Sequence, residues 1–66
     1  MENETVRMAR RHVIRGRRIV EQQRQRVRVL ASHGRGTDYA EHTLHLFQRT
    51  LAIFEEHLRD LAKDSD

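Results

Sequence analysis

Apolar residues in the first half of the chain recur at alternating intervals of three and four. The stripe consists of Val6, Ala9, Val13, Gly16, Val20, Gln23, Val27 and Leu30. This spacing is typical of a helix that packs one side against another helix. It predicts a first helix from about Thr5 to His33.

The second half repeats the rhythm and predicts a helix from about Asp38 to Lys63. Its stripe consists of Ala40, Leu44, Phe47, Leu51, Phe54, Leu58 and Leu61. Between the helices, Gly34 can take the left-handed conformation that ends a helix, and the Thr37 side chain can cap the next one. A turn as short as 34–37 makes the helices antiparallel neighbours. The predicted fold class is therefore all-α, a single coiled-coil-like helical hairpin over residues 1–66.

Folding the chain at this turn predicts a register for the two stripes. The paired positions are Gly16 with Phe54, Gln23 with Phe47, Arg17 with Glu55, and His12 with His57. Glycine costs about 1 kcal/mol relative to alanine inside a helix, and the space needed by the Phe54 ring explains why it is tolerated. A lone amide such as Gln23 in an apolar stripe most often fixes register and partner number.

A second apolar stripe on the second helix, formed by Tyr39, Leu46 and Ile53, has no partner within the hairpin. On the first helix, Ile19 also lies off the seam, as do Ile14 and Val29. A chain of 66 residues buries a small share of its surface. We therefore expect a homodimer, a four-helix bundle with Ile19, Tyr39, Leu46 and Ile53 at the interface, with a stable monomer or a higher oligomer as alternatives.

Charge is divided unequally between the halves. Residues 5–33 carry nine arginines and a single glutamate, whereas residues 37–66 carry three basic residues and seven carboxylates. Pairing between the two helices, within a hairpin or across a dimer, would account for this division. The alternative is that the first helix tracks a nucleic-acid backbone. The arginines are spread around the helix, however, which makes nucleic acid the less favoured partner.

The composition also bears on location. The chain has no cysteine, which fits a reducing compartment. It has no apolar run near the roughly 20 residues that span a bilayer, and its first residues are acidic, unlike the start of a signal peptide. We expect a cytoplasmic protein without a membrane partner.

Five histidines raise the question of a metal site. A zinc site needs about four ligands, and the predicted register brings together only His12 and His57. We expect no metal and no other cofactor. A further hypothesis is that His12 and His57 form a pH-sensitive pair that loosens the bundle when both rings gain charge at about pH 6 to 7.

Catalysis has no candidate residues. Serine occurs only at Ser32 and Ser65, the chain has no glycine-rich phosphate loop, and two helices offer no deep pocket. We expect a protein that is not an enzyme.

The run His12-Val13-x-x-Gly16, followed by Gln23-Arg24, by Gly34 and Thr37, and by the apolar stripe of the second helix, resembles a group of short hypothetical proteins of soil α-proteobacteria. The similarity covers about residues 9–61. It implies a helical hairpin with a basic first helix, and that group has no assigned activity. Where its members usually carry an aspartate before the threonine, this chain has Gly36.

Two functional hypotheses follow. The first is a small protein–protein interaction module that associates with itself through an apolar helical seam and acts on an unidentified protein partner. The alternative is a basic accessory nucleic-acid-binding protein that uses the arginine-rich first helix.

Overall fold

Two long helices form an antiparallel hairpin in the computed structural model, which describes residues 3–64. Helix α1 spans Glu4–Ser32 and helix α2 spans Asp38–Asp64. They pack against each other along their length, which confirms the predicted hairpin with bounds that agree to within one residue. Residues 1, 2, 65 and 66, which belong to the predicted domain, lie outside the described range.

An asparagine begins α1. Asn3 has extended backbone angles, and its side-chain Oδ1 accepts a hydrogen bond from the Val6 amide at 2.8 Å. This is the usual arrangement of an N-cap, and Glu4 adds a negative charge where the helix dipole favours one. The apolar pattern predicts a start at about Thr5 and gives no indication of the cap at Asn3.

A Schellman motif ends α1. Gly34 has a φ of 68°, its amide donates to the Ala31 carbonyl at 3.0 Å, and the Arg35 amide donates to the Leu30 carbonyl at 3.0 Å. These two bonds satisfy carbonyls that the end of a helix leaves free. The left-handed conformation predicted for Gly34 is therefore confirmed.

Helix α2 begins after Thr37, whose backbone carbonyl accepts from the Glu41 amide at 2.8 Å. The Thr37 hydroxyl makes no hydrogen bond to any part of residues 3–64, so the predicted side-chain cap is wrong. Asp38 and Glu41 place negative charge in the first turn, and that charge stabilises the start of the helix through its dipole.

The interhelical seam is buried unequally. The buried side chains are Val6, Ala9, Val13, Val20 and Gln23 on α1, and Ala40 on α2. The large side chains of the α2 stripe stay at least partly accessible, and Phe47 is 36% exposed. The smaller side chains of α1 are thus covered by larger side chains of α2, and the α2 side chains themselves stay partly exposed to solvent.

Gly16 makes room for a different side chain from the one predicted. A Cβ atom placed on Gly16 would lie 3.0 Å from Leu51 Cδ1, so the space is taken by Leu51 and not, as predicted, by Phe54. Arg17, one residue further along, still pairs with Glu55 as predicted. The difference is therefore not a uniform shift of one helix along the other.

Gln23 is the buried polar side chain of the seam. Its amide Nε2 donates to the backbone carbonyl of Ala40 at 3.0 Å. The predicted neighbour, Phe47, only shares an open cavity with Gln23. Because the bond joins α1 to the start of α2, it supports the expectation that Gln23 fixes how the helices are aligned.

The two turn glycines give a matched test of the Schellman motif. We expect Gly34→Ala to lower the free energy of unfolding by about 1 to 2 kcal/mol, because a Cβ atom disfavours the left-handed conformation. Gly36 has no positive φ, and a methyl group added there would have no neighbouring atom within 4 Å. Gly36→Ala should therefore leave stability unchanged or raise it slightly. Equal losses in urea unfolding of both variants would contradict this account of the turn.

Candidate interaction surface

One side of the hairpin is marked by an ion pair between the helices. Arg17 Nη2 lies 3.0 Å from Glu55 Oε2, as the sequence predicted. Residues seven apart lie on nearly the same side of a helix, so Arg10 and Arg24 share the side of Arg17. We call this the arginine side.

The opposite side is marked by a contact between rings. The His12 ring meets the Phe54 ring edge-on, with centroids 5.6 Å apart and planes at 86°. His12, Phe54 and His57 line an open cavity of about 330 Å³ together with Thr5, Met8 and Ala9. The predicted neighbours His12 and His57 thus share a cavity, while the ring that His12 contacts is Phe54.

A second, wider cavity lies near the turn on this same side. Val29, Tyr39, Thr43 and Phe47 are among the residues that line its volume of about 790 Å³. Phe47 lies seven residues before Phe54, and Thr43 lies fourteen before His57, so both cavities open on one side of α2. This side therefore runs the length of the hairpin.

Exposed apolar side chains collect on that side. We call it the apolar face, and its members are Met8, Ile19, Val29, Tyr39, Leu46, Phe47 and Ile53. Tyr39 is 85% exposed and Ile53 is 64% exposed. Ile14, which is also exposed, lies further round α1 and lines a cavity with Met8 and Ile19. The four predicted interface residues, Ile19, Tyr39, Leu46 and Ile53, all belong to this face, and their role in an interface stays a prediction.

Sequence reasoning missed three members of the apolar face. The sequence places Val29 off the seam without an interface, gives no role to Met8, and predicts Phe47 in the core. Met8 and Val29 lie 21 residues apart, and Phe47 lies seven before Phe54, so counting in sevens finds their side once one contact between the helices fixes which flanks meet.

Most ion pairs of the described chain lie within α1 and not between the helices. Glu4 pairs with Arg7 at 3.1 Å and with Arg11 at 3.3 Å. Glu21 likewise pairs with Arg24 and Arg28, each at 3.4 Å. All of these side chains are exposed, so each pair contributes at most about 1 kcal/mol. The sequence predicts ion pairs between the basic α1 and the acidic α2. The pair of Arg17 and Glu55 is one such contact within the hairpin.

The charges on and beside the apolar face differ between the helices. Arg11, Arg15 and Arg18 line a cavity with Met8 and Ile19. Counting in sevens from His12 and Met8 places Arg26 and Arg15 on the α1 part. Counting from Ile53 places Asp60 on the α2 part. Neither arginine forms an ion pair with any residue between 3 and 64. The α1 part is therefore positive and the α2 part negative.

Within residues 3–64, no three histidine, aspartate or glutamate side chains are placed to share a metal ion. Neither helix, over the same residues, has a stretch apolar enough to cross a lipid bilayer. Comparison of the chain with family models, with curated proteins and with solved structures gave no match.

The hypothesis of a pH-sensitive pair stays a prediction, since His12 and His57 line one cavity while the ring that His12 contacts is Phe54. Thermal melts at pH 7 and pH 5 of the original chain and of His12→Gln test it, and a smaller loss of stability in His12→Gln is the expected result. His42→Gln, an exposed position outside the cavity, is the control. If both variants lose as much stability as the original chain, the pair is not the cause.

Proposed function

We propose that the protein is a small non-catalytic interaction module that forms a homodimer through its apolar face, so that two hairpins make a four-helix bundle. The observation that carries this proposal is the collection of exposed apolar side chains on one side of the hairpin. The same proposal includes a cytoplasmic location, which the absence of cysteine favours, and membership of the hairpin group that the sequence resembles.

The packing within one chain supports a second layer of helices. A soluble monomer rarely exposes a large contiguous apolar patch unless that patch binds something. Here the apolar face extends from Met8 to the Tyr39 end of the hairpin, and beside it the half-exposed Phe54 lines an open cavity. A second hairpin on this face would bury both the exposed stripe and the uncovered flank of the seam, as in four-helix bundles.

Light scattering after size exclusion tests the proposal directly. We expect a mass of twice the 7.9 kDa of one chain, falling toward one chain only on dilution. A mass of one chain at every concentration, with full helicity by circular dichroism, would refute the homodimer.

Two adjacent positions of α2 offer a matched pair of variants. Ile53 belongs to the apolar face, whereas Ala52 is exposed on the other flank of the helix. Ile53→Lys should weaken the dimer at least about 100-fold, since about 1.5 kcal/mol of burial is lost at each of two symmetric sites. Ala52→Lys adds the same charge and should leave the dimer affinity nearly unchanged. Equal weakening by both variants would show that charge, and not the face, is responsible.

Nucleic-acid binding is the second candidate function, and the unpaired arginines favour it. Arg15, Arg18 and Arg26 form no ion pair within the described part of the chain. Exposed arginines without counterions are available to neutralise phosphates. The carboxylates of Glu4 and Glu21 occupy four other arginines of α1, which reduces this capacity.

Fluorescence anisotropy with labelled DNA and RNA duplexes, at low salt and at about 150 mM salt, tests this candidate. If the unpaired arginines bind phosphate, the double variant of Arg15→Gln and Arg18→Gln should weaken binding more than Arg7→Gln with Arg11→Gln, which removes the same charge from the Glu4 cluster. Absence of binding at micromolar protein would remove nucleic acid as a partner.

A further inference from the structure

We propose that in the homodimer α1 of each copy lies over α2 of the other, with both turns at the same end of the bundle. This inference rests on the homodimer proposed above and names the arrangement of its second copy. It follows from the distribution of charge over the apolar face and between the helices.

Symmetry leaves two ways to stack the apolar faces of two identical hairpins with their helices roughly aligned. If the two-fold axis is parallel to the helices, α1 lies over the partner's α2 and the turns are neighbours. If the axis runs across the helices, α1 lies over the partner's α1 and the turns lie at opposite ends. We call these the parallel-axis and the crossed-axis arrangement.

Apolar contacts are available in both arrangements. In the parallel-axis dimer, Val29 of one copy comes level with the partner's Tyr39, because the two residues line one cavity within a single hairpin. In the crossed-axis dimer, Met8 comes level with the partner's Val29, because they lie near opposite ends of α1. Apolar burial therefore does not choose between them, and the charges decide.

The helices carry opposite net charges. Helix α1 contains nine arginines and two glutamates, a net charge of +7. Helix α2 contains three basic residues and six carboxylates, a net charge of −3. Only the parallel-axis arrangement puts each helix over one of opposite sign.

The charges on the apolar face itself agree with the whole-helix balance. Arg15 and Arg26 lie on its α1 part and Asp60 lies on its α2 part. In the crossed-axis dimer, Arg26 would come over the partner's α1, a helix of net charge +7. Like charges brought together at an interface disfavour association. In the parallel-axis dimer, Arg26 comes over the start of the partner's α2, near Tyr39, whose ring attracts a cation.

Because the chain has no cysteine, one substitution gives one labelled site. Arg35→Cys places a spin label in the exposed turn and leaves Gly34 intact. Pulsed electron resonance on the labelled dimer should give a distance of roughly 10 to 25 Å, since packed helices lie about 10 Å apart. The crossed-axis arrangement would give a distance near the 50 Å length of the hairpin.

Each outcome is distinct. A short distance that disappears when labelled protein is mixed with excess unlabelled chain supports the parallel-axis dimer. A long distance, or two distances, overturns the arrangement while self-association stands. No distance between labels at concentrations where the chain is helical overturns self-association as well. Lys63→Cys at the open end repeats the measurement away from the turn and should also give a distance well below the hairpin length.

Discussion

The fold depends on a seam in which small side chains of α1 meet large side chains of α2. Gly16 illustrates this constraint, because its missing side chain lets Leu51 Cδ1 approach to 3.0 Å from where a Cβ atom would be, closer than ordinary van der Waals contact. The large α2 side chains cover α1 along this seam and stay partly accessible themselves. Tyr39, Leu46 and Ile53 lie off the seam on the same helix, so a single hairpin leaves them exposed as well.

The sequence was sufficient for the elements because their signals are local. Alternating intervals of three and four define each helix, and Gly34 can take the left-handed conformation that ends α1. The partner of each seam residue was not accessible in the same way. Leu51 and Phe54 both belong to the α2 stripe, so the periodicity could not tell which of them would take the space beside Gly16.

The candidate surface was predictable in part for a related reason. Tyr39, Leu46 and Ile53 lie seven apart, so their common side follows from the sequence alone. Which residues of α1 share that side requires a contact between the helices, such as the His12 and Phe54 ring pair. The ion pairs were also not predictable from the net charge of each helix. Glu4 and Glu21 pair with arginines of their own helix, and those contacts do not depend on how the two helices are aligned.

In the part of the chain that the structure describes, α1 arginines pair more often with Glu4 and Glu21 of their own helix than with α2. Arg17 and Glu55 form an ion pair across the seam on the arginine side, and the Arg17 end of the pair is largely exposed. Such a pair contributes little to stability. Charge acts more strongly on the choice between arrangements, because an unfavourable pairing is penalised even where a favourable one adds little. In the proposed dimer, apolar burial therefore provides the affinity, and the division of charge between α1 and α2 selects which helix each one covers.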